Sequence, residues 1–299
     1  MKAVELFCGI GMSALGVHHA GAEIIGAVDI DKRFVKAFNS QPTLPPKARV
    51  CDLKDYEPPQ GIDLLCGGPV CKAFSPGATL FGTGGKNDQR NTFPLFFDVL
   101  KKCSPLPTYV LIENSYGLRR FKGYINELKQ ELLHLGYIVD LQEIDCYDYG
   151  VPQHRRRVVF TAWMGTPNAT RWKVTKPAKR VGPKTVGDCF ARTQEELLRN
   201  LTPGCLAYLT RDPIHLKKHK PLTMNKPAST VVSNYKRGVP YGVVEDRGTY
   251  YRCMPRLAAR LQGLPDTYNL TPLSVTAALE GIGNGFPPPV VKHLVKSLM

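Results

Sequence analysis

No two cysteines in this 299-residue chain have Cys-x-x-Cys spacing, although nine are present, at positions 8, 51, 66, 71, 103, 146, 189, 205 and 253. An odd number without a regular ladder argues against a disulfide framework and for reduced thiols in a reducing compartment. It also argues against a structural zinc ion, and no metal is expected. His215 and His219 share helical i, i+4 spacing but stand near no cysteine pair or acidic ligand. Long apolar runs are missing as well. Leu6 to Ala22 lacks Asp, Glu, Lys and Arg, but Glu5 at its edge, four glycines and two histidines make it too short and too polar for a membrane span or a secretory leader. A soluble, cytoplasmic protein without a membrane partner is expected. There is no internal repeat and no low-complexity tract.

Acidic residues are scarce: 25 Asp and Glu stand against 40 Lys and Arg, for a net charge of +15. The imbalance is local. Thr161 to Met254 holds 17 basic and 6 acidic residues, or +11, which leaves +4 for the rest. Basic charge confined to one segment is the electrostatic footprint of a protein that touches phosphate backbones. With 43% hydrophobic residues, the chain can bury a large core, which excludes disorder and allows one large and one smaller domain.

Apolar periodicity supplies the order of elements. Val4–Phe7 reads as a strand, Cys8-Gly9-Ile10-Gly11-Met12 as a turn, Ser13–Ala20 as a helix and Ile24–Val28 as a second strand closed by Asp29 and Asp31. Glycines at a helix N-terminus and a carboxylate after the second strand suit a nucleoside cofactor, and the third glycine of a dinucleotide loop is not in place. Strands at Arg49–Leu53, Asp63–Cys66 and Tyr109–Ile112, with helices at Thr92–Lys102 and Ile125–Leu135, continue an alternation that implies a mostly parallel sheet covered on both faces. Ile138–Ile144 and Arg157–Ala162 flank a short connection and read as an antiparallel hairpin. From about Pro167 the chain turns irregular and basic. Helical patterning returns at Thr271–Glu280 and Val290–Leu298. The expected fold is α/β, a Rossmann-like sheet with one antiparallel hairpin strand plus a smaller, irregular basic domain. The expected division is 1–165, 166–270 and a returning segment 271–299.

One thiol stands out. Cys71 follows the apolar run Ile62–Cys66 through Gly67-Gly68-Pro69-Val70, so a buried strand ends in a glycine turn that presents sulfur to a substrate. The stretch Pro76–Asn91, with glycines at 77, 82, 84 and 85 and charged Lys86, Asp88 and Arg90, reads as a hinged lid directly after it.

Taken in order, Phe7-Cys8-Gly9-Ile10-Gly11, Gly67 to Ser75, Ile112-Glu113-Asn114-Ser115, Gln153-His154-Arg155-Arg156-Arg157 and Gly283-Asn284-Gly285-Phe286-Pro287 resemble the cytosine-C5 DNA methyltransferases. The resemblance implies S-adenosyl-L-methionine as cofactor and a target-recognition domain facing the catalytic domain across double-stranded DNA. It implies that Cys71 adds to C6 of a flipped-out cytosine, that Glu113 in its acid form meets charge at N3, that Asn114 orients the pocket, and that Arg155 and Arg157 stand near O2. For the cofactor it implies Phe7, Gly9, Gly11 and Met12 at the first turn, Asp29 on the ribose, Ile30 beside the adenine, Asp52 and Leu53 after the third strand, Gly68, and Asn284 with Gly285 closing the site. DNA contacts are expected from Ser75, Lys86, Arg90, Gln153, Asn234, Lys236 and Arg237, with Tyr235 a further candidate. A monomer is expected, with any cognate restriction endonuclease acting separately. The chain departs from the family where Val70 replaces proline, Lys72 replaces glutamine and Ser115 replaces valine. A tRNA-directed member of the family and a catalytically weak DNA-binding homologue are the alternatives. The Cys-Phe-Thr signature of the former is absent near the C-terminal motifs.

Overall fold

The computed structural model describes residues 1–45, 47–74, 84–165, 172–190, 197–211, 220–237 and 242–299. Ser75, His215, His219 and positions 76–83 of the glycine-rich loop lie outside the described residues.

Seven strands form the main sheet: β1 (Lys2–Leu6), β2 (Glu23–Asp29), β3 (Ala48–Val50), β4 (Leu64–Gly67), β5 (Tyr109–Ser115), β6 (Tyr137–Asp145) and β7 (Arg156–Met164). Their order is β3-β2-β1-β4-β5-β7-β6. The first five run parallel, and β7 enters antiparallel between β5 and β6. Val4 to Leu6 and all of β4 are buried, as continuous apolar runs in a two-faced parallel sheet must be. One face carries α1 (Met12–His19) and the last helix, α8 (Pro288–Lys296). A Cβ on Gly16 would lie 2.6 Å from that of Val291 and 2.7 Å from the Pro288 carbonyl oxygen, so glycine is what lets these helices cross closely. The other face carries α3 (Phe93–Lys102) and α4 (Lys122–His134), packed through Phe74, Phe93, Phe96 and Tyr124.

Between α1 and the sheet edge lies α2 (Lys32–Asn39), which periodicity did not mark; Asp31 starts it by accepting the Arg33 N–H at 2.9 Å. Strand β3 stops at Val50 and leaves Asp52 and Leu53 in a turn. The basic segment holds a four-stranded sheet in the order β8-β11-β10-β9, made of Leu198–Asn200 (β8), Leu222–Thr223 (β9), Val243–Asp246 (β10) and Thr249–Cys253 (β11), with helix α5 (Pro203–Arg211) after β8. Strands of two to five residues carry no readable alternation, which is why the sequence looked irregular there. Helix α6 (Pro255–Leu261) follows. Helix α7 (Val275–Asn284) begins later than Thr271 because Ser274 accepts the Ala277 N–H at 3.2 Å and caps it.

Candidate active site

The strand order reverses at β1, whose two neighbours are β2 and β4, and in such sheets a crevice opens beyond the carboxyl ends of the strands. Both glycine turns and Glu113 lie along that edge. In the turn after β1, Phe7, Gly9 and Gly11 have φ of 55, 53 and 92°. Phe7 is thus held in a left-handed conformation that non-glycine residues rarely adopt, a form of strain that clusters at ligand sites. Nothing lies within 4 Å of where a Gly9 Cβ would be, so backbone is open to an approaching ligand there. Asp29 at the end of β2 accepts the Gly9 N–H and the Asp31 N–H, each at 2.8 Å, one bond to each oxygen. Burial pushes its carboxyl upward. Next to it Ile30 is 70% exposed, an apolar side chain left uncovered beside an acid. Asp52 caps a turn by accepting the Lys54 N–H at 3.0 Å and is half-buried.

The turn after β4 is braced from two sides. Asn114, fully buried, donates from Nδ2 to the Pro69 carbonyl at 2.9 Å, while its Oδ1 accepts the Ser115 N–H at 2.9 Å. The Thr92 hydroxyl accepts the Val70 N–H at 2.8 Å. Cys71 then opens a 3-10 turn, Cys71–Phe74, and is half-buried. A Cβ on Gly68 would stand 3.0 Å from Glu113 Oε2, so Gly68 leaves room for the acid to lie beside the turn. Glu113 Oε1 is 2.6 Å from Arg157 Nε, and the two side chains are 14% and 11% exposed. Burial pushes the Cys71 thiol up, Arg157 pulls it down, Glu113 pushes it up and Arg155 pulls it down. One thiol, one acid and two guanidiniums therefore share a site at the sheet's carboxyl edge.

A family model described as C-5 cytosine-specific DNA methylase matches residues 1–299. The chain belongs to that family. Its reaction class is methyl transfer to C5 of cytosine in DNA. Among curated proteins, "Type II methyltransferase M.AplI" of Arthrospira platensis is 29% identical, over 100% of this chain and 85% of its own length. "Type II methyltransferase M.NgoMIV" of Neisseria gonorrhoeae is 27% identical, over 99% and 96%. The fold matches that of S. pombe Dnmt2 methyltransferase with a TM-score of 0.75 at 17% identity, covering 100% of this chain and 98% of that one.

Within this methylase the structure gives several of the expected site residues protein partners. Gln153 was expected to touch DNA. It is fully buried: Nε2 donates to the Leu261 carbonyl and to Gln262 Oε1, each at 2.7 Å, and Oε1 accepts the Val231 N–H at 3.0 Å. Gln262 extends the network to the Ile282 carbonyl at 2.7 Å. Arg155 was expected near the cytosine O2. Its Nη1 donates to the Val231 carbonyl at 2.7 Å and its Nη2 to Gly283 and Gly285 at 3.1 and 2.8 Å. Burial lowers it to about 9, and these three bonds tie its guanidinium to backbone carbonyls. Met12 and Leu53, expected at the cofactor, have buried side chains, and a Cβ on Gly285 would meet Met12 Sδ at 2.2 Å. Asn284 is exposed at the end of α7.

In the 3-10 turn Ser233–Arg237, Tyr235 is buried, which removes it as a DNA reader. Lys236 Nζ lies 2.5 Å from Glu280 Oε1, whose other oxygen is 3.8 Å from Arg33. Asn234 is half-buried and Arg237 exposed. Lys86 pairs with Glu127 and Arg90 with Asp88, each at 2.5 Å. The described end of the glycine-rich loop folds back: Gly85 donates to the Ala73 carbonyl at 2.9 Å, and Asn91 to the Lys86 carbonyl at 2.9 Å and the Tyr124 hydroxyl at 2.8 Å.

Other contributors were not singled out in the sequence. Thr92 was read only as a helix start. A Cβ on Gly283 would lie 2.3 Å from the Val232 and Ser233 backbone, so glycine permits the basic segment to dock on α7. Glu5 is buried and hydrogen-bonded to Ser13 and the Ala14 N–H, with Oε2 unpartnered; burial pushes it to about 8. Among the described residues no cluster of three or more His, Cys, Asp or Glu could hold a metal ion, and no helix is long and apolar enough to cross a membrane.

Proposed function

We propose that this methylase uses Cys71 as nucleophile on a cytosine rotated out of duplex DNA, as the modification half of a restriction-modification system. The observation that carries this reading is the convergence of Cys71, Glu113 and Arg157 beside an open glycine turn. The curated relatives' names, type II methyltransferases, support the biological setting.

S-adenosylmethionine supplies an electrophilic methyl group when bound. The residues fit it: the open backbone at Gly9 accepts a close approach, Asp29 keeps lone pairs for two ribose hydroxyls, and exposed Ile30 offers an apolar face to a flat ring. Asp52 stands in the adjacent turn for the adenine amino group.

Cytosine C5 is a weak nucleophile, so Cys71 must first lose its proton and form a bond from sulfur to C6. Burial disfavours the thiolate more than Arg157 favours it, so the thiol is held above its ordinary value. As the bond forms, the C5–C6 electron pair moves into the ring. N3 takes up a proton by way of the Glu113 carboxyl as charge arrives there, and Arg157, 2.6 Å from Glu113, stands by the ring's developing negative charge. After C5 is methylated it gives its proton to water, the freed C–H pair re-forms the C5–C6 double bond, sulfur leaves C6 as the thiolate with the C–S pair, and N3 gives back its proton by way of the Glu113 carboxyl. Asn114 and Thr92 hold the nucleophile's turn from beneath, so Val70 in place of proline is compensated by two side-chain bonds.

The test is to incubate purified protein and S-adenosylmethionine carrying a labelled methyl group with random-sequence duplex DNA or with tRNA, then digest and identify the labelled base. Label in 5-methylcytosine from DNA, at one recurring sequence, is expected. Label from tRNA alone overturns the DNA reading.

A further inference from the structure

The geometry points to a clamp for a DNA backbone phosphate, formed by Arg119, Tyr116 and Arg156 beside the nucleophile's turn. The inference rests on the DNA reading above and names a contact that reading does not use. The 3-10 turn Tyr116–Arg120 directly follows β5, the strand that carries Glu113 and Asn114. Strand β7 pairs beside it, with Ser115 opposite Arg157, so neighbouring Arg156 points to the opposite face of the sheet from Arg157. There its guanidinium carbon lies 4.0 Å from the Tyr116 ring centroid, and that of Arg119 lies 4.9 Å away. Arg119 Nη1 also donates to the Tyr116 hydroxyl.

A single carboxylate serves both cations. Glu143 on β6 reaches Arg119 Nε at 2.8 Å and Arg156 Nη2 at 3.9 Å. Arg120 is exposed beside them. Against the three arginines stand Glu143 and, opposite Arg156 in the β6–β7 ladder, Asp145, which leaves about one excess positive charge on an exposed patch. Exposed arginines ordinarily sweep through many rotamers, and holding two over one ring costs conformational entropy that is offset only in part here, since the two side chains stay 51% and 58% exposed. A guanidinium fixed flat on a ring keeps its N–H edges turned outward, which is the arrangement for bidentate binding of a phosphate.

The patch is rigidly indexed to the chemistry. A Cβ on Gly117 would stand 2.0 Å from the Phe74 carbonyl oxygen, so this turn is wedged against the Cys71–Phe74 turn. Phe121, just beyond, packs edge-on to Phe74 at 5.5 Å between centroids. A phosphate gripped at the Arg119–Arg156 stack would therefore be held at a fixed offset from the Cys71 thiol, which positions the strand carrying the target nucleotide.

The experiment measures binding of a fluorescent 30-base-pair random-sequence duplex across a NaCl series, for the full chain and for Arg156→Gln, Arg119→Gln and Arg156→Lys. Loss of one phosphate contact should reduce the slope of log K against log [NaCl] by about 0.9. Each glutamine variant is expected to show that reduction with an unchanged melting temperature and unchanged S-adenosylmethionine affinity. Arg156→Lys should keep most of the slope but bind more weakly, because a point charge replaces a planar fork. Slopes and affinities equal to the parent's, with a lowered melting temperature in either glutamine variant, would make the stack a structural brace and overturn the clamp. Absence of any duplex binding by the parent protein would overturn the DNA reading itself and is distinguishable from that result.

Discussion

The carboxyl edge of the seven-stranded sheet and the basic segment that docks against it use polar residues in opposite ways. At the sheet edge they are presented: Cys71, Glu113 and Asp29 stand at strand ends and turns, held from behind by Asn114, Thr92 and the Gly9 N–H. In and around the basic segment many are consumed. Gln153 and Arg155 are buried among hydrogen-bond partners, Lys236 pairs with Glu280, and Arg180 bonds the Tyr147 and Val151 carbonyls. Net charge thus overstates the surface open to DNA, because part of it ties the segment to the sheet.

Breaking this contrast should have unequal effects on the two sides. At the sheet edge, Glu113→Gln is expected to slow methyl transfer by on the order of 10²–10⁴-fold while the fold and S-adenosylmethionine affinity hold, as read by single-turnover kinetics and calorimetry. On the docking side, Arg155→Met leaves the Val231, Gly283 and Gly285 carbonyls without their donor. At about 1–3 kcal/mol for each buried group left unpaired, the loss should exceed about 3 kcal/mol in urea unfolding. If Arg155→Met folds as stably as the parent and only loses rate, Arg155 belongs with the presented group. Gln153→Leu leaves the Leu261 carbonyl, Gln262 Oε1 and the Val231 N–H without their partner, so it should cost about 3 kcal/mol by the same reasoning and leave the salt dependence of DNA binding untouched. A changed salt slope would return Gln153 to the DNA surface.

A pH-dependent effect concerns Glu5, whose carboxyl is pushed from its ordinary 4.5 to about 8 by burial. Between those values the unfolded chain has released the proton and the folded chain keeps it, so stability falls as pH rises through that window and levels off above it. Glu5→Gln should remove the decline. Its melting temperature is expected to gain on the parent's from pH 5 to pH 8, and a constant difference would contradict the assignment.

The same contrast explains what could be read in advance. Strands β1, β2, β4 and β5 announce themselves as apolar runs because both faces are buried, and the β6–β7 hairpin follows from its short connection. Their ends were less legible. Strand β5 runs on through Glu113-Asn114-Ser115 because β7 pairs with each of those residues, a long-range effect that no local window carries. Cys71 was legible because turn glycines and a strand end mark it in the chain, whereas Glu113 was picked out by the family resemblance. Gln153 and Arg155 sit in the same motif as Arg157, and only the docking of Val231 and α7 decides which polar groups are buried. Strands β8 to β11 are too short for periodicity, and Thr92 acts through a contact 22 residues from Val70.

The most direct test of the central claim is intact-protein mass spectrometry after incubation with S-adenosylmethionine and duplex DNA in which 5-fluorocytosine replaces cytosine at the methylated site. Because fluorine blocks loss of the C5 substituent, a stable covalent complex is expected, with the DNA mapped to Cys71, absent in Cys71→Ala and slow to form in Glu113→Gln. A complex that persists in Cys71→Ala, or that maps to another cysteine, would contradict the account.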